Sequence, residues 1–261
     1  MTDEKPKKAT NKLSGVWADG GATVGAWVTN DSSDTVDVLA RAGYDYIGID
    51  CQHSLLTESD AGRLLKPLID TPVAAIVRVS RNEPAAIGRL LDAGADGVIV
   101  PMVDTPEEAA AAVAACRYAP HGVRSYGPFR SSLGLDTAEL EARVSCFVMV
   151  ESAQAIANLD AICATPGLAG VYVGPGDLSV TMGTSWLRRP RPTEVTDVIA
   201  TIPAACRRAG VIPGMHAGNA TLGAELVTLG FQFVTLSSDM SLLAAGATRD
   251  LETARRASPD Q

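Results

Sequence analysis

Two carboxylates, Glu151 and Asp177, each follow a short apolar run, residues 146–150 before the first and 171–176 before the second. In a parallel α/β protein the side chains at the carboxyl ends of buried strands converge on one face. Two acids delivered there from neighbouring strands can hold a hard divalent cation and leave positions open for substrate. Other polar residues gather at comparable places. Asp50-Cys51-Gln52-His53 closes another apolar run, Arg78 stands inside Ala75-Ile76-Val77-Arg78-Val79, and His216 ends a further one. An arginine in an apolar strand is costly without a charged partner. A structural ion pair would satisfy it, but beside His53 and two acids on the same face it reads as part of a site. His216 alone is ambiguous between core and site. Gly174-Pro175-Gly176-Asp177-Leu178-Ser179 lets backbone approach a ligand and opens a helical turn whose amides suit a carboxylate. The same residues also make a good turn.

Converging side chains need strands to carry them. Apolar β-rich runs at 23–29, 46–50, 74–79, 97–100, 146–151, 170–174, 211–216 and 233–237 alternate with stretches of helical apolar spacing. The helical stretches fall at 34–42, 58–69, 84–93, 106–117, 153–163, 194–208, 219–229 and 239–256. Leu39–Gly43, Leu90–Gly94 and Leu226–Gly230 repeat one theme, a helix ending in glycine before the next strand. Eight β/α units in 261 residues predict a single-domain (β/α)8 TIM barrel over residues 13–261, with a doubly wound open sheet as the alternative. Residues 1–12 read as a disordered tail. The Gly-, Pro-, Arg- and Ser-rich stretch 118–140 is too long for a plain connection and is expected to form an active-site lid or a subunit contact.

Composition narrows the chemistry. With 22 basic against 30 acidic residues the formal charge is −8, which argues against a nucleic-acid surface or a polybasic membrane contact. No apolar stretch approaches membrane-span length and the amino terminus lacks a signal core, so a cytoplasmic protein is expected. The five cysteines never adopt a Cys-x-x-Cys spacing, and Cys51 alone stands beside candidate chemistry. The lysines are Lys5, Lys7, Lys8, Lys12 and Lys66, so no strand lysine is available for a Schiff base or for PLP. No Gly-x-Gly-x-x-Gly follows a strand.

In this order, Asp50-x-Gln52-His53, Arg78-Val79, Leu91-Asp92-Ala93-Gly94-Ala95, Pro101-Met102-Val103-Asp104-Thr105, Arg117-Tyr118-x-Pro120-x-Gly122-x-Arg124, Val150-Glu151 and Gly174-Pro175-Gly176-Asp177-Leu178-Ser179 form a specific conjunction. From about Gly25 to Leu243 the chain resembles the HpcH/HpaI family of metal-dependent pyruvate aldolases. The resemblance implies a TIM barrel in which Glu151 and Asp177 hold Mg2+, Mn2+ or Co2+ and Arg78 reaches the 2-oxo group. It implies that His53, oriented through Asp50 or Asp92, acts in proton transfer. It further implies that the Gly176 and Asp177 amides receive the substrate carboxylate, that Trp27 walls the pocket, and that the chain assembles as a homohexamer.

Three positions depart from the family pattern. Gln52 stands where glutamate is common, which removes a negative charge beside His53. Met149 replaces a frequent glutamine two residues before Glu151, and Gly176 replaces a frequent alanine. The expected function is a class II lyase that makes or cleaves a carbon–carbon bond between the enolate of pyruvate or a close 2-oxo acid, such as hydroxypyruvate, and an aldehyde. A 2-oxo-acid decarboxylase or acyl-CoA lyase on the same scaffold is the enzymatic alternative, and a non-catalytic metal or oxo-acid binding protein is the alternative of another class.

Overall fold

The computed structural model describes residues 11–256, so residues 1–10 of the expected tail lie outside the described residues. Asn11 and Lys12, expected in that tail, belong to the folded unit. Lys12 Nζ donates to the carbonyls of Leu68 and Val73 and pairs with Asp96 at 3.0 Å.

The strands are β1 (Thr23–Val28), β2 (Tyr46–Asp50), β3 (Ala74–Arg78), β4 (Gly97–Val100), β5 (Ser145–Val150), β6 (Gly170–Val173), β7 (Ile212–His216) and β8 (Phe233–Ser238). All pair in parallel, in sequence order, and β8 returns to β1 to close a barrel. A single fold unit of this kind is the TIM barrel the alternating pattern predicts, and closure excludes the open sheet. The helices are α1 (Ser14–Ala18), α2 (Ser33–Arg41), α3 (Glu58–Leu64), α4 (Pro84–Asp92), α5 (Pro106–Cys116), α6 (Thr137–Ala142), α7 (Ala153–Ala157), α8 (Leu159–Cys163), α9 (Pro175–Thr181), α10 (Thr193–Ala209), α11 (Ala220–Leu229) and α12 (Asp239–Arg256).

Local chemistry sets their ends. Thr57 with Asp60, and Thr105 with Glu108, form capping boxes at α3 and α5. Pro67 lacks an amide proton, and the expected helix 58–69 stops at Leu64 before a 3-10 turn over Lys66–Leu68. The expected helix 153–163 breaks at Asn158, whose side-chain Nδ2 donates to the Asp104 carbonyl at 2.7 Å. Among the described residues no helix is long and apolar enough to cross a membrane.

The core has two parts, because both faces of each strand are buried. Aliphatic residues such as Ile47, Val77, Val98, Val148 and Val171 pack outward against the helices. Inside the barrel lie Tyr46, Ile76, Ile99, Phe147, Tyr172 and Phe233, sealed at the amino-terminal mouth by Leu13 and by Trp17 of α1, which meets Phe147 and Phe233 edge-on. The interior aromatics need glycine opposite them: a Cβ on Gly48 would stand 2.3 Å from the Trp27 ring. The period-2 alternation that turns these residues inward carries on to Asp50, Arg78, Glu151 and His216 at the other mouth.

Among the described residues, none of the stretch 118–140 is in the lining of the cavity at that mouth. It connects α5 to β5, and Arg124 pairs with Asp92 at 2.7 Å while Arg130 donates to the Gly62 carbonyl at 2.7 Å. Its side-chain bonds to Gly62, Asp92 and Ala93 tie it to α3 and the end of α4, and the expectation of a lid or a subunit contact is carried forward as a proposal.

Candidate active site

A cavity of about 410 Å3 opens at the carboxyl ends of the strands. Its strand-end wall includes Trp27, Asp50, Arg78, Met149, Tyr172 and His216, and its far wall comes from the loop between α9 and α10. Asp50 and Arg78 sit in register on β2 and β3 and join through two hydrogen bonds, Nε to Oδ1 at 2.9 Å and Nη2 to Oδ2 at 2.6 Å. Asp50 also accepts from the Trp27 indole at 3.3 Å and from the backbone amides of Gln52 and His53. Burial alone would raise the Asp50 pKa, but the Arg78 guanidinium and these amides hold it below the usual carboxylate range. Asp50 is thereby fully engaged, and the Arg78 guanidinium is fixed 5.3 Å from the Trp27 ring centre. Its remaining terminal nitrogen, Nη1, faces Met149 Sδ at 4.0 Å.

Glu151 follows β5 and is 2% exposed. One oxygen, Oε1, accepts from the Met102 amide at 2.7 Å, while Oε2 is buried without a hydrogen-bond partner. Met102 reaches that position through a left-handed backbone, φ 55°, the one non-glycine in that region among the described residues. Such a conformation costs roughly 1 kcal/mol, which the bond to Glu151 offsets. Burial, and then the neighbouring Asp177 carboxylate, push the Glu151 pKa up to about 7. Two acids close enough to repel, with one oxygen unanswered, make a donor set suited to a divalent cation, which would satisfy that oxygen and neutralise the repulsion. Gly174 makes this possible: a Cβ there would lie 2.3 Å from Glu151 Oε2 and 2.9 Å from Met149 Cε. Asp177 occupies the first turn of α9, where the Gly176 and Asp177 amides precede any intrahelical acceptor. A Cβ at Gly176 would meet nothing within 4 Å, so the departure from alanine is sterically neutral. Among the described residues no group of three or more His, Cys, Asp or Glu is arranged around one point.

The remaining candidates divide. Trp27, Asp50, Arg78, Gly176 and Asp177 line the cavity, with Glu151 beneath Gly174. His53 does not line it: its ring is exposed, and its recorded link to Asp50 is through the backbone amide. Asp92 closes α4 at the end leading into β4 and is paired with Arg124, so the expected Asp92–His53 partnership is not made within one chain. Cys51 is buried with its thiol pushed up to about 12, mainly by burial, and is no nucleophile. His216 lies edge-on to Trp27 at 5.6 Å, and burial followed by the Arg78 charge lowers its pKa to about 4. It is a neutral imidazole at the cavity wall. Reasoning from sequence passed over Met102, Tyr172 and the loop residues Trp186, Leu187, Arg189 and Arg191, all but the first in the cavity lining. A signal for the loop was present in Arg188-Arg189-Pro190-Arg191, a basic run in an acidic chain.

Comparison with known proteins gives a consistent relationship. Residues 23–245 match the family model described as HpcH/HpaI aldolase/citrate lyase. A hydroxypyruvate/pyruvate aldolase from Rhizorhabdus wittichii is 34% identical over 251 residues, covering 94% of this chain and 99% of that protein. A 2-dehydro-3,6-dideoxy-6-sulfogluconate aldolase from Pseudomonas putida is 31% identical, covering 87% of this chain and 90% of that protein. The crystal structure of a HpcH/HpaI aldolase/citrate lyase family protein from Burkholderia cenocepacia superposes with a TM-score of 0.87 at 31% identity, over 94% of this chain and 100% of that one.

Proposed function

The chain belongs to the HpcH/HpaI aldolase/citrate lyase family, and from that membership and the cavity geometry we propose that it joins and cleaves pyruvate or a close 2-oxo acid, such as hydroxypyruvate, and an aldehyde. It is a carbon–carbon lyase working through a 2-oxo-acid enolate. In the synthetic direction a proton leaves C3 of the 2-oxo acid, the C3 carbanion equivalent attacks the aldehyde carbon, and the resulting alkoxide is protonated to a 4-hydroxy-2-oxo acid. Cleavage breaks the C3–C4 bond and runs the same steps backwards.

The family is typically dependent on a divalent metal. Glu151 and Asp177 are our candidates to hold it, with Mg2+, Mn2+ or Co2+ as the ion; the observation that carries this is the buried, unpartnered Glu151 Oε2 with the charge of a second acid nearby. When bound, the ion supplies a Lewis acid that stabilises negative charge on the 2-oxo oxygen. Arg78, with Nε and Nη2 held by Asp50, presents Nη1 to that oxygen. The Gly176 and Asp177 amides donate to the substrate carboxylate, and Trp27 walls the pocket. Met149, unlike a glutamine, offers no donor beside Arg78, so the orientation of the 2-oxo group rests on Arg78 and the two acids.

Proton transfer at C3 is assigned to His53. Its ring is exposed in the single chain, and Asp92 can meet it only from a second copy, which fits the proposed homohexamer. Exposed apolar residues support that assembly: Leu243 and Leu251 on α12, and Tyr126, Phe129 and Leu135 in the 118–140 stretch. A cytoplasmic location fits five unpaired, buried cysteines. Deuterium uptake into the pyruvate methyl group, followed by mass spectrometry with Mn2+ and no aldehyde, tests the reading directly. Uptake above the metal-only rate is expected, and its absence would favour a non-catalytic binding protein.

A further inference from the structure

Cys116 is the last residue of α5 and Cys146 the second of β5, so the two cysteines bracket α6 and the whole of the 118–140 stretch. Both thiols line one small cavity of about 20 Å3, well away from the strand-end cavity, and they lie within hydrogen-bond reach of each other. The two ends of the stretch already meet there. Glu141, in the same lining, accepts from the Tyr118 amide at 2.6 Å, and the Arg124 amide donates to the Arg117 carbonyl at 2.9 Å. Arg117, half-buried, also lines the cavity. Its guanidinium lies against the backbone of Gly167, which holds φ 83° and where a Cβ would stand 2.5 Å from Arg117 Nη2. A side chain at 167 would push that charge away from the thiols.

Oxidation-sensitive cysteines have a cation nearby and a second thiol in reach. Both conditions are met here. The two sulfurs are not equivalent, because the hydrogen bond with Cys116, and then burial, push the Cys146 thiol well above its ordinary range. Cys146 keeps its proton, and attack on an oxidant falls to Cys116. Exposure of 4% at Cys116 and 3% at Cys146 limits what can reach them. A cavity with room for about one water-sized molecule suits a small peroxide and excludes a bulky disulfide.

We propose that Cys116 and Cys146 are a peroxide-reactive dithiol whose disulfide staples the base of the 118–140 stretch. Cys116, as thiolate, attacks one oxygen of hydrogen peroxide. The O–O bond breaks, a sulfenic acid forms on Cys116, and the departing hydroxide takes up the thiol proton as water. The Cys146 sulfur then attacks the Cys116 sulfur, the S–O bond breaks, and a second water leaves with the Cys146 proton. Two thiols are oxidised, one peroxide is reduced to two waters, and a thiol reductant reverses the bond. Closing this loop restricts the unfolded chain and so stabilises the fold. The strand-end cavity is untouched, since neither cysteine lines it.

The test treats the folded, full-length chain with hydrogen peroxide, blocks remaining thiols, and maps peptides by mass spectrometry without reductant. A linked pair of peptides joined through Cys116 and Cys146 is expected, with the loss of two hydrogens, and dithiothreitol should separate them. The oxidised chain should melt at least about 4 °C higher than the reduced one. In Cys146→Ser the sulfenic acid on Cys116 has no partner and should be trapped by dimedone, whereas Cys116→Ser should show no trapping at Cys146. Neither variant should gain thermal stability from peroxide. Cys116→Ala and Cys146→Ala repeat the comparison without placing a hydroxyl in the core. Three results each overturn the inference: no link in the folded chain when the urea-unfolded chain is oxidised by the same peroxide, a link that joins only Cys163 to Cys206, or a Cys116–Cys146 link that leaves the melting temperature unchanged.

Discussion

Asp50 and Arg78 are register partners on adjacent strands, and their twofold hydrogen bond aims the one uncommitted nitrogen of Arg78 into the cavity. The aim depends on a planar fork. A lysine ammonium at this position can pair with Asp50 or reach the 2-oxo oxygen, and cannot do both with fixed geometry. Arg78→Lys is therefore expected to lose at least about tenfold in kcat/KM, equivalent to about 1.4 kcal/mol of transition-state stabilisation. Steady-state kinetics of the purified variant decide it, and near-native values would return Arg78 to a structural role.

Gly174 offers a sharper steric test. Its Cα faces Glu151 so closely that a methyl group would meet Oε2 at 2.3 Å, and Glu151 has backbone rather than a flexible tip on its other side, at Met102. Gly174→Ala should displace the carboxylate and weaken Mn2+ binding at least about tenfold, with the circular dichroism spectrum unchanged. Gly176→Ala, where space is open, should bind Mn2+ like the wild type.

Protonation of Glu151 gives metal binding a pH dependence of definite sign. Its pKa is raised from 4.5 to about 7 in the metal-free protein, by burial first and Asp177 second. Between those values the folded chain holds a proton that the unfolded chain has released, so metal-free stability falls as pH rises through this window. A cation must displace that proton. Affinity should increase with pH up to about 7 and then level off, with proton release seen as a buffer-dependent heat in calorimetry. Glu151→Gln should abolish binding while removing the stability decline between pH 5 and 7.

His216 should behave in the opposite manner. With its pKa lowered to about 4, it stays neutral in the folded chain while the unfolded imidazole, near 6.5, takes a proton. Its contribution is lost as pH falls from the unfolded value towards 4. His216→Asn should flatten that part of the acid denaturation profile. A ring NMR titration midpoint near 6.5 would contradict its burial.

How much of this was legible follows from what each feature depends on. The eight strands were readable to within one or two residues, because strands buried on both faces are continuous apolar runs and the glycines and caps between them punctuate locally. Asp50, Arg78 and Asp177 were readable for a related reason, since strand ends of a parallel barrel share one destination, whereas Trp27 was implied only by the family resemblance. Features set by distant partners were not. Asp92 sits in a motif that resembles a site element, yet its charge is answered by Arg124, 32 residues away. The 118–140 stretch was recognisable as unusual, but nothing in its composition says which mouth of the barrel it serves. Met102 gave no sign that its backbone would turn left-handed, because the reason lies in Glu151. The short α1 and α9 were too brief to show a period, though one seals the barrel and the other carries Asp177.

The last expectation separates the two ways in which aldolases generate an enolate equivalent. A Schiff-base enzyme needs a lysine in the cavity, and none among the described residues lines it. Lys12 is bound to Asp96 where the chain enters β4, and Lys66 is exposed on the turn after α3. Chelation with EDTA should therefore abolish turnover, and Mg2+, Mn2+ or Co2+ should restore it. Borohydride added with pyruvate should leave the mass of the protein unchanged, because no imine forms to be reduced. Lys66→Ala should be kinetically silent, whereas Asp177→Ala should lose activity and bound metal together with the fold retained. A pyruvate adduct after borohydride, or turnover that survives exhaustive chelation, would sink the metal-enolate assignment and the roles of Glu151 and Asp177 with it.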